Sequence, residues 1–194
     1  MRLNLLHIGF FTLVSLTGYA DTNLPFPDAE KDTADPEVRR LVAAQAGSTI
    51  GAGALDKIFA ADEKITAMGT NAVPSLIVLL KQSANRDPYI LQPPTRPSTL
   101  GSELRVIARD LGRTGDRRAI PVLVELNKHD ITGKVPGETS RWALADLLNH
   151  GSDEQLRKDA ESNDDVVAPI AKSILANPAS YGLIRPKPSA DSKQ

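Results

Sequence analysis

Five arginines and a lone tryptophan are the side chains of this sequence best suited to recognition chemistry. Arg105, Arg109 and Arg113 recur every four residues, and Arg117 and Arg118 follow closely. On a helix that spacing sets the first three on one face. Their guanidinium forks suit an acidic partner surface or a phosphate, because each fork can donate two parallel bonds to a planar anion. The competing reading is a solvated edge neutralised by Glu103, Asp110 and Asp116, where exposed ion pairs add little stability. Trp142 is the only tryptophan, and it falls about 160° around its helix from Leu144 at 3.6 residues per turn. It either anchors a partner or is covered between neighbouring helices. Tyr89 heads the apolar triplet Tyr89-Ile90-Leu91 within the stretch Ser83 to Ser98, which also holds Pro88, Pro93, Pro94 and Pro97. That stretch reads either as a long connection or as a semi-rigid loop offering the triplet to a partner.

Catalytic and metal chemistry have little to draw on. The absence of cysteine excludes disulfide scaffolds, thiolate-held zinc or iron–sulfur centres and a cysteine nucleophile. His7, His129 and His150 stand apart in the sequence, and His150, before Gly151, suits a helix C-terminus favoured by the macrodipole. No HExxH, GxSxG or GxxxxGK[ST] pattern occurs, and no acidic cluster has metal-loop spacing. Asp153-Glu154 and Asp164-Asp165 lie near expected helix starts, where acids stabilise without further function. No catalytic residue, cofactor or metal is therefore assigned. The formal net charge of -1 and the 4% aromatic content supply neither the basic groove nor the stacking aromatics that nucleic-acid binding requires.

The elements that must position these residues begin after an export segment. Met1-Arg2 gives a positive start, Leu3 to Leu16 is uncharged and mostly apolar, and Gly18-Tyr19-Ala20 sets small residues at the inspected positions. This is the layout of a secretory signal peptide, with cleavage expected between Ala20 and Asp21. An uncleaved anchor is the alternative, but the run sits at the lower edge of the roughly 20 residues needed to span. Residues 1–20 are thus assigned to the signal, 21–34 to a linker, 35–177 to a helical domain and 178–194 to a polar tail.

Within 35–177 the apolar spacing marks a series of helices. Asp35-Pro36-Glu37 is a start signal, with a capping acid before a proline whose missing donor is not needed there. Gly47 ends that helix. Leu55 to Met68, closed by Gly69, and Asn71 to Gln82 follow. Leu100, Leu104, Ile107, Ala108 and Leu111 form the clearest amphipathic stripe. Gly112 and Gly115 are expected to flank a tight turn, with Asp116 capping a partner helix over Ala119 to Asn127. A further pair spans Ser140–Asn149 and Asp153–Ala160, and a last helix covers Asp164–Ala176. No useful length alternates with period two, so the expected class is all-α.

Two internal echoes point to repetition. Ala72-Val73-Pro74-Ser75-Leu76, Ala119-Ile120-Pro121-Val122-Leu123 and Val167-Ala168-Pro169-Ile170-Ala171 place prolines 47 and 48 residues apart, while Arg105 to Leu111 matches Arg141 to Leu147 at an offset of 36. Helix pairs recurring at such periods are the mark of an α-solenoid of stacked hairpins, each burying its apolar face against its neighbours. The run from Leu111 to Leu126 (LGRTGDRRAIPVLVEL) resembles a HEAT repeat of the short phycobilisome-lyase type, and Met68 to Leu80 is similar with a shorter turn. The resemblance covers about residues 52–177 and is interrupted at Ser83–Ser98 and Asp130–Glu138. It implies an α-α superhelix whose second helices form a surface for a protein or peptide partner. The resulting expectation is an exported, periplasmic or secreted, non-enzymatic scaffold or adaptor. It would act as a monomer or in a heteromeric complex, without a membrane span once the signal is removed. A HEAT-like lyase-type enzyme or an enzyme-regulatory subunit is the alternative.

Overall fold

The computed structural model describes residues 24–47, 53–86, 99–129 and 137–181, and every regular element among them is helical. The expected signal segment and Tyr89 lie outside these residues.

Helix α1 (Pro36–Ala46) starts as the sequence predicts: the Asp35 carboxylate accepts from the Glu37 and Val38 amides at 2.8 and 3.1 Å, with Pro36 in the first turn. Helix α2 (Ala54–Met68) stops at Gly69, whose φ of 53° is easily reached without a Cβ. A short 3-10 turn leads into α3 (Val73–Arg86). There Pro74 lies in the first turn, where the amide it lacks has no helical acceptor. Helix α4 (Thr99–Thr114) buries Leu104, Ile107, Ala108 and Leu111 completely. Asp116 caps the turn into α5 (Ile120–His129) by accepting from the Arg118 amide at 2.9 Å. Then come α6 (Glu138–Asn149), α7 (Asp153–Glu161) and α8 (Val167–Ala176).

Several boundaries differ from the sequence expectation, each for a packing or capping reason. Helix α3 runs on to Arg86, so Ser83 to Arg86 are helical rather than loop. Gln82 and Asn85 point inward there because they serve the N-terminal lead. Asn85 accepts from the Phe26 amide at 3.0 Å and donates to its carbonyl at 2.6 Å, while Gln82 donates to the carbonyls of Ala29 and Asp32. The lead over 24–34, read from sequence as a linker, is therefore laid along α3 with Phe26, Ala29 and Ala34 buried. Helix α4 continues through Gly112, which is an approach point rather than part of a turn: a Cβ there would sit 2.7 Å from the Ala143 carbonyl oxygen of α6. The last helix begins at Val167, not Asp164, whose carboxylate instead caps the Val166 and Val167 amides. Beyond α8, Pro178–Tyr181 forms a 3-10 turn that folds back rather than starting a free tail.

The pairing of helices is also shifted by one. Short turns join α2 to α3, α4 to α5 and α6 to α7, and the sequence reads these as hairpins. The extensive side-by-side contacts are instead α1 with α2, α3 with α4, α5 with α6, and α7 with α8. Helix α4 also packs on α1 and α6, and α6 packs on α8. The connections α2–α3, α4–α5 and α6–α7 join helix ends without laying the helices along each other, whereas those after α1, α3, α5 and α7 let the chain return alongside. Helices α1, α4, α6 and α8 thus follow in one row, with α3, α5 and α7 each seated on the next member. This all-helical arrangement is compatible with an α-solenoid. One continuous apolar core runs from Phe26 to Ile174.

Candidate functional site

The row contact between α4 and α6 places the arginine stripe and Trp142 on opposite walls of one groove. Arg105, Arg109 and Arg113 line the α4 wall of a cavity of about 730 Å³. Glu138, Trp142 and Asp146, again four residues apart, line the α6 wall, and Tyr181 from the 3-10 turn closes one side. The walls approach closely because Gly112 and Ala143 sit between them without large side chains. Trp142 and Tyr181 meet edge-on, with ring centroids 5.3 Å apart and planes at 80°, a favourable aromatic geometry. Trp142 remains 47% exposed, as expected from its position opposite the buried Leu144.

The stripe is not a simple charged edge, because two of its members are tied to another helix. Arg109 Nη2 donates to Gln45 Oε1 at 2.5 Å, Asp62 Oδ1 at 2.9 Å and Asp110 Oδ1 at 3.0 Å. Arg113 Nη1 donates to both oxygens of the same Asp62, at 2.8 and 3.0 Å. One carboxylate from α2 thus spans two rungs of α4 and sets their reach into the groove. Beneath it, Asp110 is buried and accepts from Gln45 of α1 at 3.1 Å. Burial pushes the Asp110 carboxyl above its ordinary range, and the Arg109 charge and bonds pull against that shift.

Arg117 and Arg118 belong elsewhere. Arg117 grips Asp159 of α7 with two bonds at 3.0 and 2.6 Å, a bidentate clamp on a nearly buried carboxylate. Arg118 folds back on Asp116 and also donates to the Thr70 carbonyl at 3.1 Å. That contact holds the Asp116 carboxyl below its usual range. Of the acids expected to neutralise the stripe, Asp110 and Asp116 do pair with arginines, whereas Glu103 forms no ion pair among the described residues. His150 caps the end of α6, lying under Gly115 and 3.9 Å from Asp146.

Sequence reasoning did not identify Asp62, Asp159, Gln45 or Tyr181, which lie 42 or more residues from the arginines or across an unread fold-back. Glu138 and Asp146 were within reach, since they flank Trp142 at helical spacing. Among the described residues no group of His, Asp and Glu could hold a metal ion, and no helix is long and apolar enough to cross a membrane. No family model, curated protein or solved structure matches this chain.

Proposed function

We propose that this chain is an exported, non-enzymatic helical-repeat module of HEAT-like type, working in the periplasm or outside the cell. It seats a segment of a protein partner in the groove between α4 and α6. The observation that carries this reading is the convergence of Arg109, Arg113 and a half-exposed Trp142 on one cleft. An aromatic anchor beside guanidinium forks is the residue set that dominates protein interfaces. The groove lies within the size range of specific ligand sites. The Leu111–Leu126 motif and the leader-like first 20 residues support the repeat and export components.

A photo-crosslinking residue placed at Trp142 in the producing cell tests the proposal, with the same residue at the exposed Glu154 as control. The expected outcome is a discrete protein adduct from position 142 that is absent from position 154, carried by chains processed after Ala20. Identical adducts from both positions, or none from 142, would sink it. Arg109 and Arg117 are poor test positions, because each holds a carboxylate from another helix.

A further inference from the structure

The groove sorts its charges by wall. Arginines stand on α4 and acids on α6, each in steps of four residues, or about 6 Å along the helix, with the aromatic pair of Trp142 and Tyr181 at the acidic side. Neither Arg109 nor Arg113 crosses the groove to Asp146; both turn toward Asp62 instead. Arg113 commits only Nη1 to Asp62, so its Nε and Nη2 donors meet no acceptor among the described residues. Asp146 accepts no hydrogen bond among them, and its nearest cation is His150 Nε2 at 3.9 Å. Unspent donors on one wall therefore face an unspent carboxylate on the other.

We infer that the groove takes a mixed-charge peptide segment of a partner protein. An acidic side chain of that segment would sit against Arg113 and Arg109, a large apolar or aromatic one against Trp142 and Tyr181, and a basic one against Asp146. This rests on the peptide-binding reading given above and adds the partner's chemistry to it. A purely acidic segment would gain the α4 wall and be repelled by Asp146. A purely basic segment would meet the opposite conflict. Like-charge juxtaposition in a cleft discriminates strongly against wrong partners.

Selection of random short peptides displayed against the purified chain, repeated on Trp142→Ala, tests this. The expected Trp142-dependent segments carry a large apolar residue with an acid on one side and a base on the other. Asp146→Lys should lose those segments and select ones in which the base is replaced by an acid. Asp146 is tied to no other helix, so that variant keeps the fold even where Arg113→Glu does not. A selected peptide, titrated by the fluorescence of Trp142, should bind about tenfold more weakly to Asp146→Lys. Trp142-dependent segments of a single charge sign, or an unchanged titration, would overturn the inference and leave the peptide-binding reading standing. No Trp142-dependent segments at all would overturn both.

Discussion

Asp110 titrates in the opposite sense to the surface acids around it. Its carboxyl is raised, first by burial, so the folded state takes up the proton at a pH where the unfolded chain is still ionised. Its contribution to stability is therefore present at low pH and lost as pH rises through the folded value. Asp116 and Glu125 are lowered, chiefly by their bonds to Arg118 and Lys128. What they contribute is present above the unfolded value and lost as pH falls through the folded one. Replacing Asp110 by Asn should remove the opposing component, so that the melting temperature falls more steeply on acidification than in the parent. Parallel melting curves across the acid range would contradict this. Much of the residue scale was legible in the sequence: Asp35 and Asp116 cap where they were expected to, and Trp142 stands opposite Leu144. The partners of the arginines were not, because an ion pair such as Arg113 with Asp62, 51 residues apart, leaves no mark in local spacing.

At the scale of elements, Gly112 governs how near α4 and α6 can lie. Its Cα faces the Ala143 backbone, and an added methyl would meet that carbonyl oxygen at 2.7 Å and the Cα at 3.1 Å. Ala is the better helix former by about 1 kcal/mol, yet overpacking at backbone contacts costs roughly 1–3 kcal/mol. Gly112→Ala should therefore lower stability in urea titration and change the environment of Trp142. A gain in stability would show that the helices part easily. The sequence places Gly112 in a turn because glycine and a following Gly115 mimic a helix stop. Only the tertiary approach of α6 explains a glycine inside the helix. The amphipathic stripe of α4, by contrast, was read correctly, since a single buried face imposes a period that survives in one sequence. Hairpin pairing was misread for a related reason: short turns advertise adjacency of ends, while the helices that lie side by side are the consecutive ones joined by the other connections.

Over the whole molecule, the apolar core is continuous from the N-terminal lead to α8, and polar ties reinforce it, buried at Phe26 with Asn85 and half-buried at Arg117 with Asp159. Nearest-neighbour stacking alone would let such an array melt from its ends. Here α4 is shared by α1, α2, α3 and α6, and α6 in turn carries α8, so the N-terminal helices meet at one centre and the C-terminal end joins it through α6. Urea unfolding followed by Trp142 fluorescence should thus coincide with the loss of helical circular dichroism. A fluorescence transition at clearly lower urea would show that α6 and the 3-10 turn detach as a separate unit. The all-helical character was evident from the sequence because no segment alternates with period two. The back-folding of the lead and of Tyr181 was not, since both rest on a few contacts made by otherwise polar, proline-containing segments.

The clasp between Phe26 and Asn85 also has a consequence for biogenesis. Its two halves are 59 residues apart, and a chain made at about 5–20 residues per second needs roughly 3–12 s to supply the second after the first. Throughout that interval the aromatic ring and the apolar side of α1 have no α3 to lie against. Until its eighty-fifth residue emerges, a nascent chain therefore carries Phe26 without the clasp that seats it in the folded protein, and slowing synthesis within α2 would lengthen that interval.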